Sequence, residues 1–225
     1  DKMTNKSMDE TFLFVKQKIK NLKTIYMAGG EPFLIKENLK IIDLIKKENP
    51  DLLLRINTNL SILTPKIYKQ LQELKNVHWI VSAEATGKKF NYIRWPGNYQ
   101  TLMQNIKKIQ QLPHKVTINM TWNLFCVSNI IDFIDEMLEM GIHPNQFIMN
   151  SVSNPIEQSV LNITKKRRDD LVEIIKQKKT KIDKNFFLYK VYTEMLDILN
   201  QPLLDTHDTA LYNTLMDFDR KRKLN

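Results

Sequence analysis

Residues 24–34 read Thr24-Ile-Tyr-Met-Ala-Gly-Gly-Glu-Pro-Phe-Leu34. The first five, Thr24–Ala28, form a short apolar run of strand character, of the kind found in parallel sheets. Two glycines follow, then a carboxylate, then a proline suited to the first position of a helix. A glycine-rich turn into a helix ordinarily invites phosphate. Glu31 opposes that, because a carboxylate at the turn repels an anion and attracts an ammonium group. The chain also lacks the Lys-Ser/Thr ending of a P-loop and the third glycine of a dinucleotide fingerprint.

The same alternation repeats outward from this stretch. Strands are predicted at Leu52–Asn57, Val77–Ala83, Lys115–Thr121 and Gln146–Asn150, all mostly apolar, as strands buried on both faces should be. Amphipathic stripes lie between them: Phe12, Val15, Ile19 and Leu22; Ile35, Leu39, Ile42 and Ile45; Leu102, Ile106 and Ile109; Ile130, Phe133, Ile134, Met137 and Leu138, the last stopped by Gly141. Ser7-Met-Asp-Glu10 reads as a capping box, and Thr64-Pro65 as an N-cap with proline at the first helical position. Strand starts ~25–40 residues apart have the spacing of βα units, which close either as an open doubly wound sheet or as a barrel.

This pattern fills residues 1–150. Residues 151–225 open on a polar stretch and continue as helices near Thr164–Lys179, Asn185–Leu199 and Thr206–Lys223, a C-terminal helical extension. The pattern starts on a helix, so the natural first strand is absent. Thr24–Ala28 or its neighbour is then an exposed apolar edge unless another segment covers it.

Composition narrows the class. With 42% hydrophobic and 26% charged residues the chain is too apolar to be disordered. No apolar run approaches the ~18 residues of a membrane span, so no membrane partner is expected. A single cysteine, Cys126, excludes a disulfide scaffold and points to the cytoplasm. The net charge of +9 favours anionic partners. His78, His114, His143 and His207 are scattered without metal-ligand spacing, so no metal residues are assigned. Lys165-Lys-Arg-Arg168 and Arg220-Lys-Arg-Lys223 lack interleaved aromatics and read as solvated segments.

Ligands of parallel α/β folds bind at the carboxyl ends of the strands. Those ends carry polar pairs two residues apart, hence on one face: Asn57 and Asn59, Ser82 and Glu84, Asn119 and Thr121, with Asn150 after the last strand. Such a ring offers donors and acceptors for a ribose, an amine or an amide.

The run Ile25–Leu34 resembles the GGEP element of radical S-adenosylmethionine (SAM) enzymes. Arg55-Ile-Asn-Thr-Asn-Leu-Ser61, Val81-Ser-Ala-Glu-Ala-Thr-Gly87 with Tyr92-Ile-Arg94, and Val116-Thr-Ile-Asn-Met-Thr121 resemble the twitch-domain radical SAM proteins. The resemblance runs from about Asn21 to Phe133. It implies a partial (β/α)6 TIM-like barrel, here without its first strand, that binds SAM beside a [4Fe-4S] cluster. The Gly29, Gly30, Glu31 and Pro32 turn would meet the methionine ammonium. Ser82 and Glu84 would lie near the ribose, Asn57 and Asn59 near the methionine or substrate side, and Arg94 would pair with the SAM carboxylate. Thr121 completes the set, and the backbone around Ile148–Asn150 would flank the adenine. No catalytic residue is assigned.

The chain departs from the family where the cluster is held. Three thiolates of a CxxxCxxC motif after the first strand would bind three irons; this chain has neither that strand nor the motif, and the resemblance implies an N-terminal segment outside this sequence. Ala85 and Thr86 stand where many relatives have Asp-Gly, and Asn123 and Cys126 take the place of a family SxxN stretch. With the cluster the enzyme would form a 5′-deoxyadenosyl radical and modify a peptide, a nucleic acid or a small molecule, supplied with electrons by a reductant protein. Two other readings stay open: a catalytically silent SAM-binding relic and a basic nucleic-acid-binding α/β module.

Overall fold

The computed structural model describes residues 2–204 and 209–222. In chain order these form α1 (Lys2–Lys18), β1 (Thr24–Met27), α2 (Lys36–Glu48), β2 (Leu53–Thr58), α3 (Pro65–Gln72), β3 (Val77–Ser82) and α4 (Gly87–Ile93). There follow α5 (Tyr99–Ile109), β4 (Lys115–Trp122), α6 (Asn129–Glu139), β5 (Phe147–Ser151), α7 (Lys165–Thr180), α8 (Phe187–Leu199) and α9 (Thr209–Arg222). The five strands make one parallel sheet in the order β1-β2-β3-β4-β5, an α/β fold of the partial TIM-like barrel type with helices after the last strand. Among the described residues no helix is long and apolar enough to cross a membrane.

Chain contacts divide the molecule into two compact units. One takes the chain up to Ala83 with Phe90–Ile118; the other takes Glu84–Lys89 with the chain from Asn119 onward. In the first unit, β1 pairs with β2 (Met27 beside Ile56) and β2 with β3 (Ile56 beside Trp79). Parallel register keeps these residues on one face, where Met27, Leu54, Ile56, Val77, Trp79 and Val81 are buried. Ile42 and Ile45 of α2, Leu71 of α3 and Ile106 and Ile109 of α5 are buried with them and complete the core. Trp79 Nε1 donates to His114 Nδ1 at 3.3 Å, which leaves Nε2 to donate to the Leu74 carbonyl at 3.0 Å.

The opposite face departs from the sequence reading. Both faces of β3 are buried apart from the half-buried His78 and Ser82, as its apolar run implies, but β2 alternates. Leu54, Ile56 and Thr58 are buried while Leu53 and Arg55 are exposed, as is Tyr26 on β1. Arg55 lies over the Tyr26 ring, 5.4 Å from its centroid. His78 Nε2 and Thr117 Oγ1 share a hydrogen bond of 2.8 Å, and burial, with the charges of Lys115 and Arg55, lowers the His78 pKa to about 4. Leucine at 53 served as an apolar signal although its side chain faces water.

Local signals fix the ends. Thr64 Oγ1 accepts from the Ile67 amide at 3.3 Å and caps α3, as its sequence position implies. At the end of α6, Gly141 takes φ +86° and the Ile142 amide reaches the Met137 carbonyl, a Schellman stop. The capping box is corrected: α1 starts at Lys2, so residues 7–10 lie inside it. The sequence reading also missed α4, whose seven residues bear only one buried side chain, Phe90. Of the last predicted helix, Thr206 and Lys223 lie outside the described residues.

Ile56, with none of its side chain exposed, anchors the central layer. Ile56→Ala should cost about 2–5 kcal/mol of unfolding free energy in urea titrations. Its neighbour Arg55→Ala should cost less than about 1 kcal/mol.

Candidate functional site

After β1 the chain turns through Gly29 and Gly30, with φ of +92° and +56°. A Cβ at either position would meet no atom within 4 Å, so the glycines are needed for their dihedrals and not for space. Pro32 is buried and opens a single 3-10 turn, Pro32–Leu34, whose first carbonyl accepts from Asn38 Nδ2 at 3.0 Å.

Between these lies Glu31, buried, with its carboxylate turned to the end of β2. The Thr58 hydroxyl donates to it, 2.7 and 2.8 Å from its two oxygens, and the Asn59 amide donates at 3.1 Å. The same hydroxyl accepts the Leu60 amide at 2.8 Å. Leu60 sits in the left-handed region at φ +54°, which costs a branched residue roughly 1–2 kcal/mol. Burial of its side chain and a 2.9 Å bond from Asn105 Nδ2 to its carbonyl hold it there. Desolvation raises the Glu31 pKa above the usual carboxylate value, while the bonds from Thr58, Asn59 and Phe33 pull it back.

This braced turn forms one wall of a hollow of about 240 Å³, lined by Gly29, Gly30, Asn57, Thr58, Asn59, Ser82 and Arg94. Ser82 Oγ donates to Asn57 Oδ1 at 2.9 Å, tying the ends of β2 and β3 on one face. Arg94 follows α4 and is fixed by a turn in which the Gly97 amide reaches the Arg94 carbonyl at 2.7 Å. A Cβ at Gly97 would lie 2.7 Å from that same carbonyl, so only glycine fits. The hollow thus gathers one guanidinium, two carboxamides and two hydroxyls around a glycine backbone, with a buried carboxyl behind it. That set matches a small zwitterion: an anion for Arg94 and a cation on the side of Glu31.

Of the residues anticipated from sequence, Gly29, Gly30, Asn57, Asn59, Ser82 and Arg94 line the hollow. Glu31 and Pro32 stand behind its wall. Glu84 and Thr121 belong to the other unit, where Glu84 is buried and Thr121 half-buried. There Asn150 Nδ2 donates to Asn119 Oδ1 at 3.2 Å, and Asn123 Oδ1 accepts from the Phe125 amide at 2.9 Å and the Cys126 amide at 3.3 Å, a local turn. Sequence reasoning missed Thr58, Asn105 and Gly97. Thr58 and Asn105 were visible as polar residues on otherwise apolar faces.

Among the described residues no group of three His, Cys, Asp or Glu is placed to hold a metal ion. Cys126 is buried, its Sγ 3.6 and 3.5 Å from the Thr121 and Asn123 carbonyls.

Because the folded pKa of Glu31 is raised, its contribution to stability is complete below the ordinary glutamate range and is lost as pH rises through the raised value. Glu31→Gln carries no charge at any pH. Its melting temperature relative to the unaltered protein should therefore climb as pH rises across that range. A difference independent of pH would mean that Glu31 is not held in this buried state.

The fold is shared with solved structures. SuiB of Streptococcus suis bound to S-adenosylmethionine matches with a TM-score of 0.57 at 16% identity, over 77% of this chain and 39% of that one. SuiB bound to the precursor peptide SuiA gives 0.56 at 18%, over 84% and 44%. anSMEcpe with bound AdoMet gives 0.56 at 15%, over 90% and 57%. This chain therefore spans between 39% and 57% of the length of these structures. No curated protein matches the chain. The family model described as the radical SAM superfamily matches residues 1–124, and with more than half its length so matched the chain belongs to that superfamily.

Proposed function

We propose that the hollow receives the amino-acid end of S-adenosylmethionine. The observation that carries this reading is the braced turn with Arg94 in the same hollow: a left-handed backbone that favours glycine, a carboxyl buried behind it and a guanidinium in the lining. The ammonium of the ligand lies against the glycine turn, where its charge and that of Glu31 favour one another. Its carboxylate pairs with Arg94, and Asn57, Asn59 and Ser82 supply the neutral hydrogen-bonding groups. A hollow of about 240 Å³ suits this end of the molecule and not the whole of it. The SAM-bound neighbours SuiB and anSMEcpe support the ligand's identity. The NTN, SAE and YIR stretches support a place among the twitch-domain proteins, and the lone cysteine supports a reducing, cytoplasmic setting.

When bound, SAM supplies a sulfonium that the superfamily cleaves with an electron from an iron–sulfur cluster. The residues of this chain do not fit such a cluster. Three thiolates are needed, and Cys126 is the single cysteine, buried against backbone carbonyls. The role of this chain's own residues is to bind and orient SAM. For the substrate we propose a polypeptide, supported by the solved SuiB and anSMEcpe structures that contain peptides.

Ligand-observed NMR with SAM tests the reading. SAM should bind, and Arg94→Ala should weaken it by about tenfold or more, the cost of a charge-assisted hydrogen bond, in protein that circular dichroism shows to be folded. Absence of binding, or equal binding by Arg94→Ala, would overturn it.

A further inference from the structure

The second unit carries a cleft of its own, outside everything described so far. Helices α7 and α8 pack along Leu171, Ile175, Leu188, Val191 and Met195, all buried, and residues 181–186 join them. Beside this seam lies a cleft of about 460 Å³ lined by Lys176, Lys179, Ile182, Lys184, Tyr189 and Leu196. Ile182, Leu196 and the lysine stems make an apolar floor, with three ammonium groups around it. No carboxylate is among its lining residues. Among the described residues, none of the three lysines is paired with an acid. The contrast within α7 is informative: Lys178 is tied to Asp135 of α6, Arg168 to Asp169, and Arg167 donates to Ser128 at 3.3 Å. These three basic residues of the helix have partners in the protein, whereas Lys176, Lys179 and Lys184 at the cleft face no acid among the described residues.

We propose that this cleft docks a polypeptide segment in which an apolar side chain is flanked by aspartates or glutamates. Charge complementarity selects the flanks, and the floor selects the apolar residue. Nucleic acid fits less well. Lys179 Nζ sits 4.5 Å from the Tyr189 ring centroid and occupies the face on which a base would stack, and no arginine lines the cleft to fork a phosphate. The inference rests on the polypeptide-substrate reading only for which polypeptide brings the segment. Docking itself needs no SAM, so its failure and a failure of SAM binding are read separately.

The test is fluorescence anisotropy of the whole chain with a short labelled peptide bearing a leucine and a phenylalanine between two pairs of glutamates, without SAM. Saturable binding should appear, fall with added salt, and weaken about tenfold in Lys176→Glu/Lys184→Glu. Should that pair perturb folding by circular dichroism, Lys176→Gln/Lys184→Gln should weaken binding in the same direction. Three results would overturn the proposal: no saturable binding, equal affinity for the peptide with glutamines in place of glutamates, or tighter binding at these lysines by a single-stranded RNA of equal charge.

Discussion

One hydroxyl decides the shape of the candidate site. Thr58 Oγ1 donates a hydrogen bond to the Glu31 carboxylate and accepts one from the Leu60 amide, joining the turn after β1 to the end of β2. Each half is expensive alone. A carboxylate moved from water loses several kcal/mol unless hydrogen-bonded, and a left-handed leucine costs roughly 1–2 kcal/mol more. Sharing one atom lets the two offset each other, and Asn105 closes the chain by donating to Leu60 from α5. The glycine turn is thus held by three elements rather than by its own dihedral preferences. Such cross-bracing favours one arrangement of the wall, and preorganisation of this kind lowers the cost of recognising a small charged group.

Much of the frame was legible in the sequence, for identifiable reasons. Strand limits are right to within one residue because apolar runs bounded by glycine, proline and asparagine leave little choice of register. Asn57, Asn59 and Ser82 were found by the two-residue period alone, and the Ser82–Asn57 bond shows why that period works. The misses have physical causes as well. Leu53 and Tyr26 are apolar residues that face water, so composition gave β1 and β2 a second buried side that they lack. The charge of Glu31 was legible in the sequence, but its bonds to the Thr58 hydroxyl and the Asn59 amide were not, because they join residues 27 and 28 positions apart. A hydroxyl buried on an apolar face is a better flag for such bracing than any motif, since burying it without partners is costly.

The match over residues 1–124 places the chain in the radical SAM superfamily, and the hollow at the glycine turn is lined by polar groups and one guanidinium, with no thiolate among them. A scaffold can keep a binding wall while the reactive centre depends on other groups. The second unit adds a cleft lined by three lysines with Ile182, Tyr189 and Leu196, a different chemistry from the polar hollow of the first.

In the proposed binding mode the turn at Gly29 and Gly30 recognises an ammonium group. Backbone amide spectra of the isotopically labelled protein, recorded with SAM and with an analogue in which hydrogen replaces the amino group, address it directly. SAM should shift the Gly29, Gly30 and Asn59 amides, and the deaminated analogue should leave them unmoved at the same concentration. Equal shifts from both ligands, or shifts confined to other residues, would contradict it.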